Sequence, residues 1–109
     1  MSSSDGSAGA TAERFLVGFH VRRHFGGPGH LEVAPGALVL TDRRGRRSVR
    51  HVGLVVRLER KRWEPPGTNR WLEVTDGETT AWATMGRRRE ARVVAVLEAA
   101  GFSVEPARP

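Results

Sequence analysis

Cysteine is absent from the 109 residues, and tyrosine, isoleucine and glutamine are absent with it. Without cysteine the chain can form no disulfide and offers no thiolate to a metal ion. No apolar run approaches the roughly 18 residues that a membrane-spanning helix needs. The first twelve residues, Met-Ser-Ser-Ser-Asp-Gly-Ser-Ala-Gly-Ala-Thr-Ala, contain neither a basic n-region nor an apolar h-region, so they do not read as a secretory signal. The sequence therefore predicts a cytoplasmic protein, with peripheral contact to a membrane as its only membrane option. Lysine is nearly absent too: of 18 basic residues only Lys61 is not arginine. Arginine, alanine, glycine and valine are abundant. This bias looks like a GC-rich coding background, which supplies arginine without selection for charge.

The length fits one domain. The net charge is +6, and its distribution says more than its total. Residues 43–62 hold nine basic side chains against one acid, Glu59, which leaves that segment at +8 and the rest of the chain at −2. A field of one sign on one region steers anionic partners.

Local patterning divides the chain into a tail, a β-rich body and one helix. Residues 1–13 are rich in Ser, Gly and Ala and are expected to be disordered. Strands are predicted at Arg14–Arg22, His30–Ala34, Ala37–Asp42, Arg46–His51, Leu54–Trp63, Arg70–Thr75 and Glu78–Met85. In the first, Phe15, Val17, Phe19 and Val21 share the inward face. In the fifth, Leu54, Val56 and Leu58 are expected to point inward. Residues 23–29, with Gly26-Gly27-Pro28-Gly29, are expected to form a loop. Pro35-Gly36 reads as a type II turn and Asp76-Gly77 as a hairpin turn. In the last strand the alternation leaves two choices, Trp82 inward or the Ala81, Ala83, Met85 set inward.

The stretch Arg87–Gly101 is the one convincing helix. Val93, Val94, Leu97 and Ala100 make a stripe at helical period. Gly101 suits the left-handed residue after a helix, and Phe102 can fold back on Leu97. Residues 103–109 are expected to trail off as a C-terminal tail.

Seven antiparallel strands followed by a closing helix give a mainly β fold. Leu31-Glu-Val-Ala-Pro-Gly-Ala-Leu-Val-Leu, Val52-Gly53-Leu54-Val55-Val56 and Arg92-Val-Val-Ala-Val-Leu-Glu-Ala-Ala-Gly-Phe resemble strands two and three, the entry to strand five, and the closing helix of the small bacterial pleckstrin-homology-like (PH-like) domains. The resemblance covers residues 14–102. It implies a seven-stranded antiparallel PH-like barrel plugged by its C-terminal helix. It also implies a binding module for lipid head groups, peptides or proteins and does not imply catalysis; no cofactor is expected. Lipid-binding eukaryotic members carry basic residues on the first hairpin. Here that region offers Arg22, Arg23, His24 and His30, but Glu32 stands where a basic residue is wanted, so specific phosphoinositide recognition is not implied.

The candidate sites follow from charge and aromatic placement. Arg43-Arg44-Gly45-Arg46-Arg47 is a basic hairpin tip suited to bidentate phosphate contacts, or else a solvated turn. Arg87-Arg88-Arg89 opens the helix, where the backbone already carries partial positive charge and prefers acids. Gly86 precedes it instead of a capping side chain. Free N–H groups and clustered guanidiniums there suit a phosphate or carboxylate, unless the side chains spread into solvent. Trp63 and Trp71 flank Pro65-Pro66 and are expected to lie near each other, either packed across the hairpin or offered to a partner.

His20-x-x-x-His24 is no metal pair, because four strand residues span about 13 Å. Gly26–Gly29 lacks the Gly-Lys-Ser/Thr ending and following helix of a phosphate loop. No serine or threonine sits in a nucleophile motif. The expected function is thus an interaction module that docks on a protein partner or an anionic membrane surface. Non-specific nucleic-acid binding through residues 43–62 is the alternative. That segment has few interleaved aromatics for stacking single strands and no reading helix.

Overall fold

The computed structural model describes residues 12–21, 24–59 and 70–106. They form β1 (Glu13–Val21), β2 (His24–Ala34), β3 (Ala37–Asp42), β4 (Ser48–Arg50), β5 (Val55–Glu59), β6 (Arg70–Thr75), β7 (Thr80–Met85), α1 (Arg87–Ala99) and β8 (Ser103–Pro106). The fold is mainly β with one helix among the described residues. The expected seven-stranded closed barrel is corrected in two respects. Eight strands share one sheet, in the order β4-β3-β2-β1-β7-β6-β5-β8, and the sheet curls into an open half-barrel with β4 and β8 as its edges.

Alternating side chains place one apolar row after another on the concave face. Phe15, Leu31, Leu40 and Val49 align across β1, β2, β3 and β4, and all are buried. Phe19, Ala83, Leu72 and Leu58 align across β1, β7, β6 and β5, also buried. The choice left open in β7 is settled by Ala83: Ala81, Ala83 and Met85 face inward, and Trp82 lies on the outer face, where its indole N–H donates to Glu59 Oε1 at 3.0 Å.

The helix fills the concavity. Val93 and Leu97 are fully buried, and Val94, Val96 and Ala100 pack partly against them. The helix ends in a Schellman motif: Phe102 N–H donates to Leu97 O at 2.9 Å, Gly101 N–H donates to Glu98 O at 3.1 Å, and Gly101 has φ 98°. Phe102 is buried, as the stop predicts. A leucine as buried as Leu97 contributes about 1.5–3 kcal/mol by transfer from water.

Three local expectations are overturned. Residues 24–29 belong to β2 and do not form a loop. Pro28 is tolerated because its carbonyl accepts the Arg43 N–H at 3.0 Å on the β3 side, just beyond the last β2–β3 pair, Gly29 with Asp42. Its missing N–H faces the same side, where β3 has given way to a turn. Gly29 is required by close approach, since a Cβ there would lie 2.5 Å from Thr41 O and 3.1 Å from Phe19 Cβ. Residues 103–106 do not trail off. Ser103 N–H donates to Leu54 O at 2.7 Å, and β8 pairs parallel with β5. Leu54 does not point inward. Gly53, at φ 95°, bends the chain, β5 begins only at Val55, and Leu54 is left 50% exposed.

Glu13, placed in the tail by the sequence, opens β1. Of the remaining expectations, residues 1–11 and 107–109, Arg22, Arg23 and the segment 60–69 with Trp63 lie outside the described residues, as does the side chain of His24.

Candidate anion-binding face

The Arg43–Arg47 turn is organised by one carboxylate. Asp42 Oδ1 accepts the backbone N–H groups of Arg46 at 2.8 Å and Arg47 at 3.3 Å, while the Asp42 N–H donates to Arg47 O at 2.9 Å. The amides that could have cradled an anion are thereby occupied. What the turn offers is guanidinium. Arg43, Arg44, Arg46 and Arg47 are exposed, and their side chains have no hydrogen-bond or ion-pair partner among the described residues. They surround an open depression of about 800 Å³ that Pro28 and Asp42 complete.

The helix start is built differently. Gly86 has extended geometry and supplies no side-chain cap, as its lack of a side chain dictates. The acid of the first turn, Glu90, does not neutralise the arginines around it. It is buried and turned into the concave side, where Oε2 lies 3.5 Å from Nε of Arg70, itself buried. Arg89 Nη1 donates to Leu16 O, two residues past the last β1–β7 pair. Arg92 Nη2 lies 2.7 Å from Glu13 Oε1 at the start of β1. Arg87 and Arg88 are exposed, and no side-chain partner holds them among the described residues.

The outer face of the sheet joins the two clusters. Pro28 pairs with Gly18, Gly18 with Thr84, and Thr84 with Trp71. Small residues in the middle of this row leave a groove of about 590 Å³, walled by Trp71 and His20 on one side and by Leu16, Gly86 and Arg89 on the other. Pro28 therefore borders both the groove and the Arg43–Arg47 depression. Gly86 and Arg89 border both the groove and a second one lined by Arg87, Arg88 and Arg92. Shared border residues thus link two arginine-lined depressions through a groove whose own lining is largely apolar. Leu16 is 55% exposed. The Trp71 indole is half-buried and rests on the His20 ring, with centroids 4.4 Å apart at a 49° tilt. Burial lowers the His20 pKa below its ordinary 6.5, so the imidazole is mostly uncharged at neutral pH and the positive charge of this face is arginine.

Sequence reasoning found the two arginine clusters and Trp71, and in the structure each cluster adjoins the groove that Trp71 lines. It missed Gly18, Pro28 and Thr84, which only strand register places in one row, and Leu16 beside that row. It also missed Arg70 as the partner of Glu90. One signal for that was present: Arg70 shares strand parity with Leu72 and Val74, which face the core. Among the described residues no group of three or more His, Asp or Glu is placed to hold a metal ion, and no helix is long and apolar enough to cross a membrane. Compared with family models, with curated proteins and with solved structures, the chain finds no match in any of the three.

Proposed function

We propose that this protein is a non-catalytic interaction module that docks on an anionic membrane surface through its basic face. One observation carries the reading. The Arg43–Arg47 depression and the groove beside the helix start share Pro28 on their borders, and that groove is lined by Leu16, Trp71 and Arg89. Each arginine near an anionic leaflet contributes about 1 kcal/mol to attraction. An exposed leucine and a half-buried tryptophan suit the boundary between head groups and chains. Nucleic acid fits this face less well, because Trp71 packs against His20 and a single indole is no series of stacking platforms. On this reading the chain is a variant of the PH-like plan that its sequence resembles, with an added eighth strand, and it works on the cytoplasmic leaflet, where anionic lipids concentrate.

Vesicle flotation beside a gel shift tests the reading. Full-length protein should float with phosphatidylglycerol–phosphatidylcholine vesicles and not with phosphatidylcholine alone. Attachment should weaken with salt as the Debye length shrinks below about 8 Å. Changing Arg43, Arg44, Arg46 and Arg47 together to Ser should abolish most of it. A protein that shifts duplex DNA and ignores the anionic vesicles is a nucleic-acid binder, and the membrane reading then falls.

A further inference from the structure

Among the described residues four large apolar side chains stand in water. Leu16 lines the groove beside the helix start. The other three, Val52, Leu54 and Val55, are 64%, 50% and 46% exposed and fall within four consecutive residues where β4 gives way to β5. Isolated exposed apolar residues need no explanation, whereas a contiguous group with a polar rim marks a contact surface. The bend is held out by its backbone. His51, buried beneath it, has Nε2 2.9 Å from Val55 O, and its Nδ1 accepts the Thr75 N–H at 3.3 Å. Val52 N–H donates to Thr75 O at 2.9 Å, and Leu54 O accepts the Ser103 N–H at 2.7 Å. Val56, the next residue, takes the inward place and is fully buried.

These ties put the bend at the end of the molecule where the helix stops, and acids gather there. Asp76 and Glu78 are exposed in the hairpin turn that follows Thr75, and Glu98 is exposed in the last turn of the helix. Glu73 and Glu105 stand in register on either side of Arg57. Against these five acids stand two arginines, Arg50 and Arg57. The other end is the reverse. Where the helix starts, Leu16 and Trp71 line a groove, Arg89 borders it, and Pro28 joins it to the depression of Arg43, Arg44, Arg46 and Arg47. The 13 residues of α1 set the two ends about 20 Å apart, so the two surfaces of one copy cannot meet.

An apolar tip flanked by acids and an apolar groove flanked by arginines are complementary in both respects, and such complementarity selects a partner and its orientation. We propose that the Val52–Val55 bend docks into the Leu16–Trp71 groove of a second copy of this chain, its acids against that copy's arginines. Because the two surfaces differ, the contact is heterologous: a pair leaves one groove and one bend open, and further copies add head to tail. This contact stands independently of the membrane reading above. A docked copy covers the groove and the arginines that a bilayer would take, so self-association and vesicle binding oppose one another.

Sedimentation velocity over a concentration series of the full chain tests the contact. The parent's mean mass should rise above that of one chain as concentration grows, and fall again as salt is added, since part of the contact is charge. Leu54→Arg sets an arginine against arginines, and Leu16→Glu sets an acid against acids. Each should raise the concentration needed for association about tenfold or more, as the loss of one buried leucine contact dictates, while melting like the parent. Leu54→Ser and Leu16→Ser replace either variant should it not fold. Mixed in equal amounts, the two variants should form a pair that neither forms alone, because one contributes an intact groove and the other an intact bend. If association survives either substitution, or the mixture stays monomeric, the copies do not meet head to tail and the proposal falls. A parent that is monomeric at every concentration also overturns it, whatever the vesicles show. A parent that associates in this way and ignores anionic vesicles keeps the self-association and removes the membrane reading.

Discussion

The Arg43–Arg47 turn and the Arg87–Arg92 helix start are alike in composition and differ in what their acids and carbonyls do. In the turn, Asp42 holds backbone amides, so the fold of the tip is independent of its four guanidiniums. At the helix start, Glu90 leaves the cluster for the interior, and Arg89 and Arg92 fasten the helix to β1. The turn carries charge with no structural duty. The helix start carries charge that is partly committed to holding the helix on the sheet. Arginine count alone does not separate a binding surface from a brace; the partners of each guanidinium do.

The largest test of this contrast is Glu90→Ala. It removes the carboxylate that faces Arg70, which is 8% exposed, and loss of one partner from a buried polar contact costs about 1–3 kcal/mol. Chemical denaturation of the variant should show a loss of that order. A variant as stable as its parent would make the helix start no more structural than the turn. Asp42→Ala comes next. It releases two amides of an exposed turn and should cost about 1 kcal/mol, with faster amide exchange confined to residues 43–47. Changing Arg43, Arg44, Arg46 and Arg47 together to Ser should move stability by no more than about 0.5 kcal/mol. A cooperative melt displaced well below the parent's would show that the turn braces the fold after all.

The smallest effect concerns pH. The folded His20 pKa is held below 6.5 by burial, so between that lowered value and 6.5 the unfolded chain binds more protons than the folded one. Stability should therefore decline as pH falls through this window. His20→Gln should remove that part of the slope, seen as melting curves of parent and variant that diverge as pH is lowered. Parallel curves would mean that Trp71 leaves the imidazole in contact with water, and the groove between the clusters would then be looser than its geometry shows.

Much of this molecule was determined by its sequence alone, wherever a few neighbouring residues set the outcome. The inward faces of β1 and β6 follow from strict alternation. The helix stop at Gly101 and the burial of Phe102 follow from a six-residue hydrogen-bond pattern, and the missing cap at Gly86 from the absence of a side chain. Contacts between distant segments were decided only by the tertiary structure. Gly26–Gly29 continues a strand because β3 ends opposite Pro28, and residues 103–106 become a strand because the returning helix delivers them to the edge of β5. Leu54 points outward because Gly53 delays the start of β5. Glu90 faces Arg70 because β6 begins beside the first turn of the helix. The groove between the two arginine clusters exists because strand register sets Pro28, Gly18, Thr84 and Trp71 in one row. Side-chain period is local and can be read along the chain, whereas strand register and charge partners depend on which segments meet, and packing alone decides that.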